Sequence, residues 1–277
     1  MMLPLIRNVL ISIMILLAPF RVFSQYFSSV VFSKETKLPV GFVNIGIISA
    51  NVGTVSDETG HFSLKIDSVY NQDSLRFSMI GYESKTFLVR QFCTDSIREI
   101  FLDSRIYELK ESEIVYDKTR EIVLGSPVIP DNLSAGFAYN DLGCEMGIQV
   151  EVRKMVLIND INLDVASCTF DSVIYRLNIY RQSGQAGFIN ILTRPVYVSF
   201  AREKINKTVT FDLGSYSIYL KGAYLVTLEL YKDLGEGSLQ FWSENTKGAT
   251  WFRKTCEGKW HTCPGNIGMF LHAQLVK

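Results

Sequence analysis

Apolar and polar residues alternate along most of this chain with a period of two, which is typical of half-buried β-strands. Phe62, Leu64 and Ile66 alternate with the polar residues Ser63 and Lys65, and residues 75–79 repeat the pattern. In the second half of the chain, no window shows the period of an amphipathic helix. The pattern therefore predicts an all-β protein.

The second half of the chain is equally rich in strand patterns, and glycines separate the runs at intervals typical of an antiparallel sandwich or jelly roll. The runs predict strands at residues 149–158, 172–180, 196–202, 208–213, 223–231, 239–242 and 267–276. We therefore expect a C-terminal antiparallel jelly-roll-like sandwich.

Two strand-and-turn units stand near the start of the chain. Residues 53–66 read GTVSDETGHFSLKI, and residues 73–85 read DSLRFSMIGYESK. In the first unit, Asp57 can hydrogen-bond its own turn and Gly60 tolerates a positive φ, which predicts a hairpin turn.

With the Leu38-Pro39-Val40 segment and the apolar positions that follow it, these units resemble the carboxypeptidase-regulatory-like domain. The resemblance implies a transthyretin-like Greek-key β-sandwich that is accessory and non-catalytic. It also implies an exported protein of a Bacteroidetes-type bacterium.

The first 24 residues have the features of a signal peptide. Arg7 precedes an apolar run at residues 9–18, and the sequence predicts cleavage before Gln25. The run ends at Pro19, which is too short for a membrane-spanning helix. We therefore expect no transmembrane segment after signal removal, and a mature protein in the periplasm, on the outer-membrane surface or outside the cell.

The patterns divide the rest of the chain into two domains of ordinary size. Residues 25–117 form the expected regulatory-like sandwich, and residues 137–277 form the expected jelly-roll-like sandwich. Between them, residues 118–136 contain Gly125, Pro127 and Pro130, which break regular structure. This segment is predicted to be a linker.

The charges of the chain balance, since Lys plus Arg and Asp plus Glu are both 28. Nucleic-acid binding requires a basic face that neutralises phosphates, so the balance argues against such a partner. No cofactor motif is present. The expected partners are envelope proteins or glycans.

Five cysteines follow the signal segment, and export permits disulfides. Cys256 and Cys263 flank a six-residue stretch, and a bond between them would contribute about 2.5 kcal/mol. The sequence predicts this disulfide. The spacing of Cys93, Cys144 and Cys168 leaves their pairing open.

The chain offers few catalytic candidates. His61, His261 and His272 lack the glutamate spacing of a zinc peptidase, and no nucleophile elbow or phosphate loop is present. We therefore predict a protein without catalytic residues.

One segment carries oxygen ligands at the spacing of a calcium loop. Asp160, Asn162, Asp164 and Asp171 occupy positions 1, 3, 5 and 12, but position 6 is Val165 instead of glycine. The alternation of this segment favours an edge strand without metal. A structural calcium in another geometry stays open.

Late tryptophans are the candidate ligand contacts, because flat aromatic faces stack on sugar rings. On the strand near residue 240, Leu239 and Phe241 share one face, whereas Gln240 and Trp242 share the other. Trp242 and Gln240 are the predicted surface candidates, with Trp260 as a second site. Core packing is the alternative for these aromatics.

Together these features predict an exported, non-catalytic binding or structural module of the bacterial cell envelope. The alternative is a carbohydrate-binding accessory protein of a glycan-utilisation system.

Overall fold

The computed structural model describes residues 24–105, 116–127, 133–138, 141–184, 187–204 and 208–276. Apart from Ser24, the predicted signal peptide lies outside the described residues. In the described part, no helix is both long and apolar enough to cross a membrane.

Seven strands and one short helix make up the first domain. Their bounds are β1 Ser24–Ser33, β2 Asn44–Ile47, β3 Gly53–Val55, β4 His61–Asp67, β5 Ser74–Ser78, β6 Lys85–Leu88, α1 Val89–Thr94 and β7 Glu99–Leu102.

The first domain is a sandwich of two sheets. One sheet has the order β4-β1-β7 and the other the order β3-β2-β5-β6. The β1–β7 pair is parallel, and the other pairs are antiparallel. The predicted alternation is confirmed, since Phe62, Leu64 and Ile66 point into the core with Leu75 and Phe77.

The turn predicted around Asp57 is present, but it does not close a hairpin. Asp57 Oδ1 accepts hydrogen bonds from the backbone N–H groups of Thr59 (2.8 Å) and His61 (3.0 Å), and Gly60 has φ +79°. The turn joins β3 to β4, which belong to different sheets. A local sequence signal identifies such a turn without identifying the sheets that it connects.

Eleven strands form the second domain. Their bounds are β8 Tyr116–Ser126, β9 Ser134–Phe137, β10 Glu145–Cys168, β11 Ser172–Gln182, β12 Phe188–Asn190, β13 Val196–Ala201, β14 Thr208–Asp212, β15 Tyr219–Glu229, β16 Leu239–Arg253, β17 His261–Ile267 and β18 Met269–Val276.

The 24-residue strand β10 organises this domain. Its first half pairs with β15 and with the end of β16, and its second half pairs with β14, β18 and the start of β16. The register with β15 shifts between Val152 and Val156, where the strand passes from one set of partners to the other. The antiparallel strands thus surround one continuous apolar core, and the predicted all-β class is confirmed.

The segment predicted to be a linker contributes two strands to the second domain instead. β8 pairs with β18, with Leu271 opposite Leu124. β9 pairs with β16, with Leu239 opposite Phe137. Gly125 has φ +90° and lies within β8, so a glycine that normally interrupts a strand is accommodated there. The linker prediction for residues 118–136 is therefore corrected.

Candidate functional site

A row of four charged side chains crosses four neighbouring strands of the second domain. Direct cross-strand partners in this row are Arg176 on β11, Glu229 on β15, Glu145 on β10 and Arg253 on β16. We call this set the charge row. Each of the four residues is at most 8% exposed. Two carboxylates directly opposite each other repel, so the arrangement depends on the flanking guanidinium groups.

The alternation of β11 places this row on the face opposite the core. Arg176, Asn178 and Tyr180 lie on one side of the strand, whereas Tyr175 and Leu177 point into the apolar cluster on the other. Both faces of the strand are buried. The polar side faces the first domain, to which Arg176 donates hydrogen bonds, whereas the carboxylates of the row are bonded within the second domain.

Glu145 accepts hydrogen bonds from four neighbours. Its Oε1 receives Asn178 Nδ2 (2.9 Å) and the Thr227 hydroxyl, and its Oε2 receives Tyr180 OH (3.2 Å) and Arg253 Nε (2.7 Å). Burial raises the pKa of Glu145, and Glu229 adds to this effect while Arg253 opposes it. These hydrogen-bond donors offset the desolvation cost of burying the Glu145 carboxylate.

Glu229 is the second buried carboxylate. Its Oε2 accepts Arg176 Nε at 2.9 Å and Asn178 Nδ2 at 2.7 Å, and its Oε1 has no hydrogen-bond partner among the described residues. Burial raises the pKa of Glu229, but the Arg176 guanidinium, together with Arg253 and the Asn178 amide, lowers it below the ordinary value. The retention of this charge therefore depends on Arg176.

Arg176 also ties the two domains together. Its Nη1 donates to the Phe42 carbonyl at 2.8 Å and lies 3.2 Å from Met79 Sδ, and its Nη2 donates to Asn44 Oδ1 at 2.5 Å. One guanidinium thus pairs with a carboxylate of the second domain and with backbone and side-chain acceptors of the first. Such a group fixes the relative position of the two domains.

A second contact between the domains is formed by the turn after β16. Cys256 Sγ lies 3.2 Å from the Ile45 carbonyl and 3.0 Å from the Thr54 carbonyl. A methyl group added at Gly46 would lie 2.5 Å from the Cys256 carbonyl oxygen, so only glycine permits this approach. Ser78 Oγ donates to Glu257 Oε1 at 2.7 Å in the same region.

The structure does not contain the disulfide predicted between Cys256 and Cys263. All five cysteines are free thiols. The register of β16 with β17 places Thr250, not Cys256, opposite Cys263. Cys256 lies beyond the end of β16 and points into the first domain, which spacing along the chain alone does not reveal.

We predict that Cys256 resists alkylation in the folded protein. It is fully buried, and burial strongly raises the pKa of its thiol. Cys263 is only partly buried and serves as the internal control. Iodoacetamide labelling followed by peptide mapping should modify Cys256 at least about tenfold more slowly, because each unit of raised pKa lowers the thiolate fraction tenfold. Equal rates in native protein would show that this turn does not stay packed against the first domain.

A cleft of about 150 Å³ opens beside the charge row, between the two domains. The first domain contributes polar and apolar side chains, and strands β11, β12 and β16 of the second domain contribute others. The lining residues are Asn44, Arg76, Ser78, Met79, Ile80, Tyr82, Ser84, Arg105, Arg176, Asn178, Tyr180, Phe188, Ile189, Asn190, Leu192, Arg253 and Glu257.

Trp260, one of the predicted ligand contacts, lies in an aromatic cluster next to this cleft. The Arg253 guanidinium stands over its ring at 4.7 Å from the centroid. Tyr180 and Phe188, which line the cleft, pack against the same ring at 5.9 and 5.8 Å. The half-buried Trp260 thus supports the cleft wall and holds Arg253 in place.

The other predicted ligand contacts, Trp242 and Gln240, are placed elsewhere. Leu239 and Phe241 are fully buried, whereas Trp242 and Gln240 are half-buried on the opposite face of β16, as the alternation predicts. Neither belongs to the lining of the cleft. Beside Trp242 lies Ser134 of β9, a neighbour that the sequence analysis had assigned to a linker.

The segment with calcium-loop spacing is a strand. Asp160, Asn162 and Asp164 all belong to β10, and they make side-chain contacts with neighbouring strands. Asp160 Oδ1 lies 2.9 Å from His272 Nδ1, and Thr208 Oγ1 donates to Asp164 Oδ1 at 2.6 Å. The strand interpretation is confirmed, but β10 is paired on both sides and is not an edge. Among the described residues, no group of three or more His, Cys, Asp or Glu is placed to hold a metal.

Sequence reasoning missed the charge row entirely. A signal for it existed, since Glu229 interrupts the apolar run LVTLELY, and Arg176 and Asn178 interrupt the apolar run VIYRLNIY. Charges within strands that are apolar on both sides indicate buried ion pairs. The identity of their partners depends on strand order, which the sequence pattern does not contain.

The arrangement is suited to binding. Guanidinium, amide and hydroxyl groups line the cleft, and the charge row behind them fixes their positions through hydrogen bonds. Aromatic and aliphatic side chains supply the apolar part of the wall. A small number of fixed polar groups in a partly apolar cleft is the common composition of a small-molecule site.

Comparison with known proteins identifies the first domain. Residues 27–114 match the family model of the CarboxypepD_reg-like domain. This match confirms the resemblance inferred from residues 38–88. No curated protein matches the chain.

Solved structures of infectious bursal disease virus particles match the chain at very low similarity. The VP2 subviral particle of infectious bursal disease virus shares 10% identity at a TM-score of 0.16 over 92% of this chain. T=1 particles derived from infectious bursal virus share 11% identity at a TM-score of 0.15, also over 92% of this chain. This chain spans only 65% and 63% of those chains. Scores this low carry no argument about fold or function.

Proposed function

We propose that this protein is an exported, non-catalytic binding or structural module of the bacterial cell envelope. The observation that carries the proposal is the cleft between the domains, whose polar side chains are held in place by the charge row. Residues 27–114 match the regulatory-like domain family, and this resemblance implies an accessory module, which supports the proposal.

The proposed location rests on the leader-like first 24 residues. Export would place the protein in the periplasm, on the outer-membrane surface or outside the cell. We also propose that the second domain belongs to the jelly-roll class, because its antiparallel strands surround a single core and β10 takes part in both sets of pairings. A Bacteroidetes-type envelope protein is the source that the domain combination favours.

A carbohydrate-binding accessory protein is the second candidate function. It is favoured by the aromatic cluster that Trp260 forms with Tyr180, Phe188 and Trp251 at the cleft. Aromatic side chains with a polar neighbour are the typical contacts of sugar rings. Trp260 is one of the two tryptophans that the sequence suggested as ligand contacts, and the other, Trp242, lies outside the cluster.

A glycan array probed with residues 25–277 separates these functions. A carbohydrate-binding protein should retain one glycan class, and Trp260→Ala should weaken that retention at least about tenfold, since one aromatic contact contributes about 1.5 kcal/mol. Trp242→Ala is the matched control, because Trp242 is also half-buried but does not line or border the cleft. If only Trp242→Ala abolishes retention, the glycan site lies at Trp242 on β16 and not at the cleft.

The proposed lack of catalysis is tested in the same samples. Retained glycans recovered after prolonged incubation should have unchanged chain lengths by chromatography. Shortened chains would contradict the non-catalytic proposal. If no glycan is retained, crosslinking in envelope fractions should capture a protein partner, and failure of both assays would contradict a binding role.

A further inference from the structure

The charged side chains that line the cleft are mainly guanidinium groups, and each of them is paired with a carboxylate. The described lining includes four guanidinium groups, from Arg76, Arg105, Arg176 and Arg253, and one carboxylate, from Glu257. Arginine recognises planar anions through paired hydrogen bonds. A guanidinium whose ion pair is long and exposed is the group in the cleft that can take an anionic part of a ligand.

The four guanidinium groups divide into two kinds. Arg176 and Arg253 are buried, and they hold the carboxylates Glu229 and Glu145 at 2.9 and 2.6 Å. Their charge is already compensated, so they position the wall. They are not the best partners for an incoming anion.

Arg105, at the border, pairs at 3.6 Å with Glu83, which does not line the cleft. Arg76 is held far more loosely than the buried pair. Its side chain is 38% exposed, and its Nη1 lies 3.4 Å from Glu257 Oε2, longer than the ~2.8 Å of a strong charged hydrogen bond. Glu257 is in turn held by Ser78 through its other oxygen. A carboxylate entering the cleft can therefore occupy donors of Arg76 without breaking a buried ion pair.

The remaining lining matches a hydroxylated ring. Tyr82 and Phe188 supply aromatic surface, and Asn190 and Ser84 supply polar groups. Asn190 is itself fixed, because its Nδ2 donates to Asn178 Oδ1 at 2.8 Å and its Oδ1 accepts the Leu192 N–H at 3.0 Å. A sugar ring offers both an apolar C–H face and hydroxyl groups to such a wall.

The size of the cleft sets a limit on the ligand. A volume of about 150 Å³ corresponds to a cavity that accepts one six-membered ring. Ser84, Arg105 and Ile189 at its border are exposed, so substituents of the ring can extend into solvent. The cleft therefore holds a single ring, which belongs either to a free monosaccharide or to a longer glycan.

We infer that the cleft binds a sugar ring that carries a carboxylate, as in a uronic acid, with Arg76 as the partner of that carboxylate. This inference rests on the proposed function of the cleft as a binding site. It adds the chemical class of the ligand and the residue that selects it.

Calorimetric titration of residues 25–277 tests the inference with three kinds of probe. D-glucuronate and D-galacturonate carry ring and charge, D-glucose and D-galactose carry the ring alone, and acetate carries the charge alone. We expect a uronate to bind at least about tenfold more tightly than the matching neutral sugar and than acetate, since one charged hydrogen bond corresponds to about that factor. Equal affinity for the neutral sugar, or for acetate, would overturn the inference.

Substitutions of Arg76 and Glu257 are expected to change uronate affinity in opposite directions. Arg76→Gln should reduce uronate affinity at least about tenfold and leave neutral-sugar affinity unchanged. Glu257→Gln should increase uronate affinity several-fold, because the substitution removes a repelling carboxylate and retains an oxygen for the Ser78 hydrogen bond. Arg202→Gln is the control, because Arg202 also forms an exposed ion pair, 3.3 Å from Asp171, and does not line the cleft.

The failure of this inference is distinguishable from failure of the proposed function. Retention of neutral glycans on the array with no effect of Arg76→Gln would leave the binding role intact and overturn only the acidic-sugar assignment. If the array retains glycans but no uronate titrates, the assignment is equally overturned. Loss of all ligand and partner capture would contradict the binding role itself.

Discussion

Replacing Arg176 with methionine should lower the free energy of unfolding by about 3–5 kcal/mol, the cost typical of breaking a buried ion pair by removing one partner. The substitution leaves Glu229 buried without its guanidinium, and one oxygen of that carboxylate already lacks a partner among the described residues. It also removes the donors to Phe42 and Asn44 of the first domain. Denaturant unfolding of the full chain measures the loss.

The control for this prediction is Arg202→Met, at the exposed pair with Asp171, where the side chain of Arg202 is 53% exposed. That substitution should cost at most about 1 kcal/mol. The double substitution Arg176→Met with Glu229→Leu should recover part of the lost stability, because no uncompensated charge remains. A loss below about 1 kcal/mol for Arg176→Met would mean that the charge row is hydrated and open.

The same substitution changes the dependence of stability on pH. Because Arg176 lowers the folded-state pKa of Glu229 below its ordinary value of 4.5, this group stabilises the folded state above that pH. The contribution is lost as the pH falls through the lowered pKa. Without Arg176, burial is expected to raise the pKa of Glu229. The part of the stability difference between wild type and the Met variant that comes from the Glu229 charge should therefore shrink as the pH falls toward 4.

Replacing Phe77 with alanine should have a comparable effect, a loss of about 3–5 kcal/mol. Phe77 is fully buried at the centre of the first domain, and its ring lies 5.6 Å from Phe62, 5.7 Å from Phe87 and 5.8 Å from Phe92. Alanine leaves a cavity that these rings fill only partly. Phe77→Leu, which retains most of the apolar volume, is the matched control and should cost clearly less.

The Phe77 variant also tests the coupling of the two domains. Because Arg176 and Cys256 of the second domain bond to the first, we expect a single unfolding transition at a lower denaturant concentration, at which circular dichroism and fluorescence coincide. Two transitions, with the second at its original midpoint, would contradict this coupling.

The elements of this fold were predictable because the signal for a strand is local. Burying one face of a strand requires apolar residues at every second position, and Phe62, Leu64 and Ile66 satisfy this condition within a few residues. The turn at Asp57 and Gly60 is local for the same reason, since both its hydrogen bonds and its positive φ involve neighbours. The resemblance of the first domain to a known family rests on these same local patterns.

The errors came where the partner of a residue lies far along the chain. Gly125 and the prolines near it suggested the end of regular structure. Strand β8 nevertheless includes Gly125, because it pairs with the neighbouring strand β18. The disulfide prediction used seven positions of spacing, whereas Cys256 contacts Ile45, which is 211 positions away. Register, not spacing, decides which side chains meet.

By itself, the sequence determined the all-β class, many of the strands and the family of the first domain, because each depends on residues that are close in the chain. The charge row, the cleft and the contacts between the domains were decided only by the tertiary structure. Arg176 and Glu229 are 53 positions apart, and Glu145 and Arg253 are 108 positions apart. Charges so distant become neighbours through strand order and register, which long-range packing selects and local periodicity does not encode.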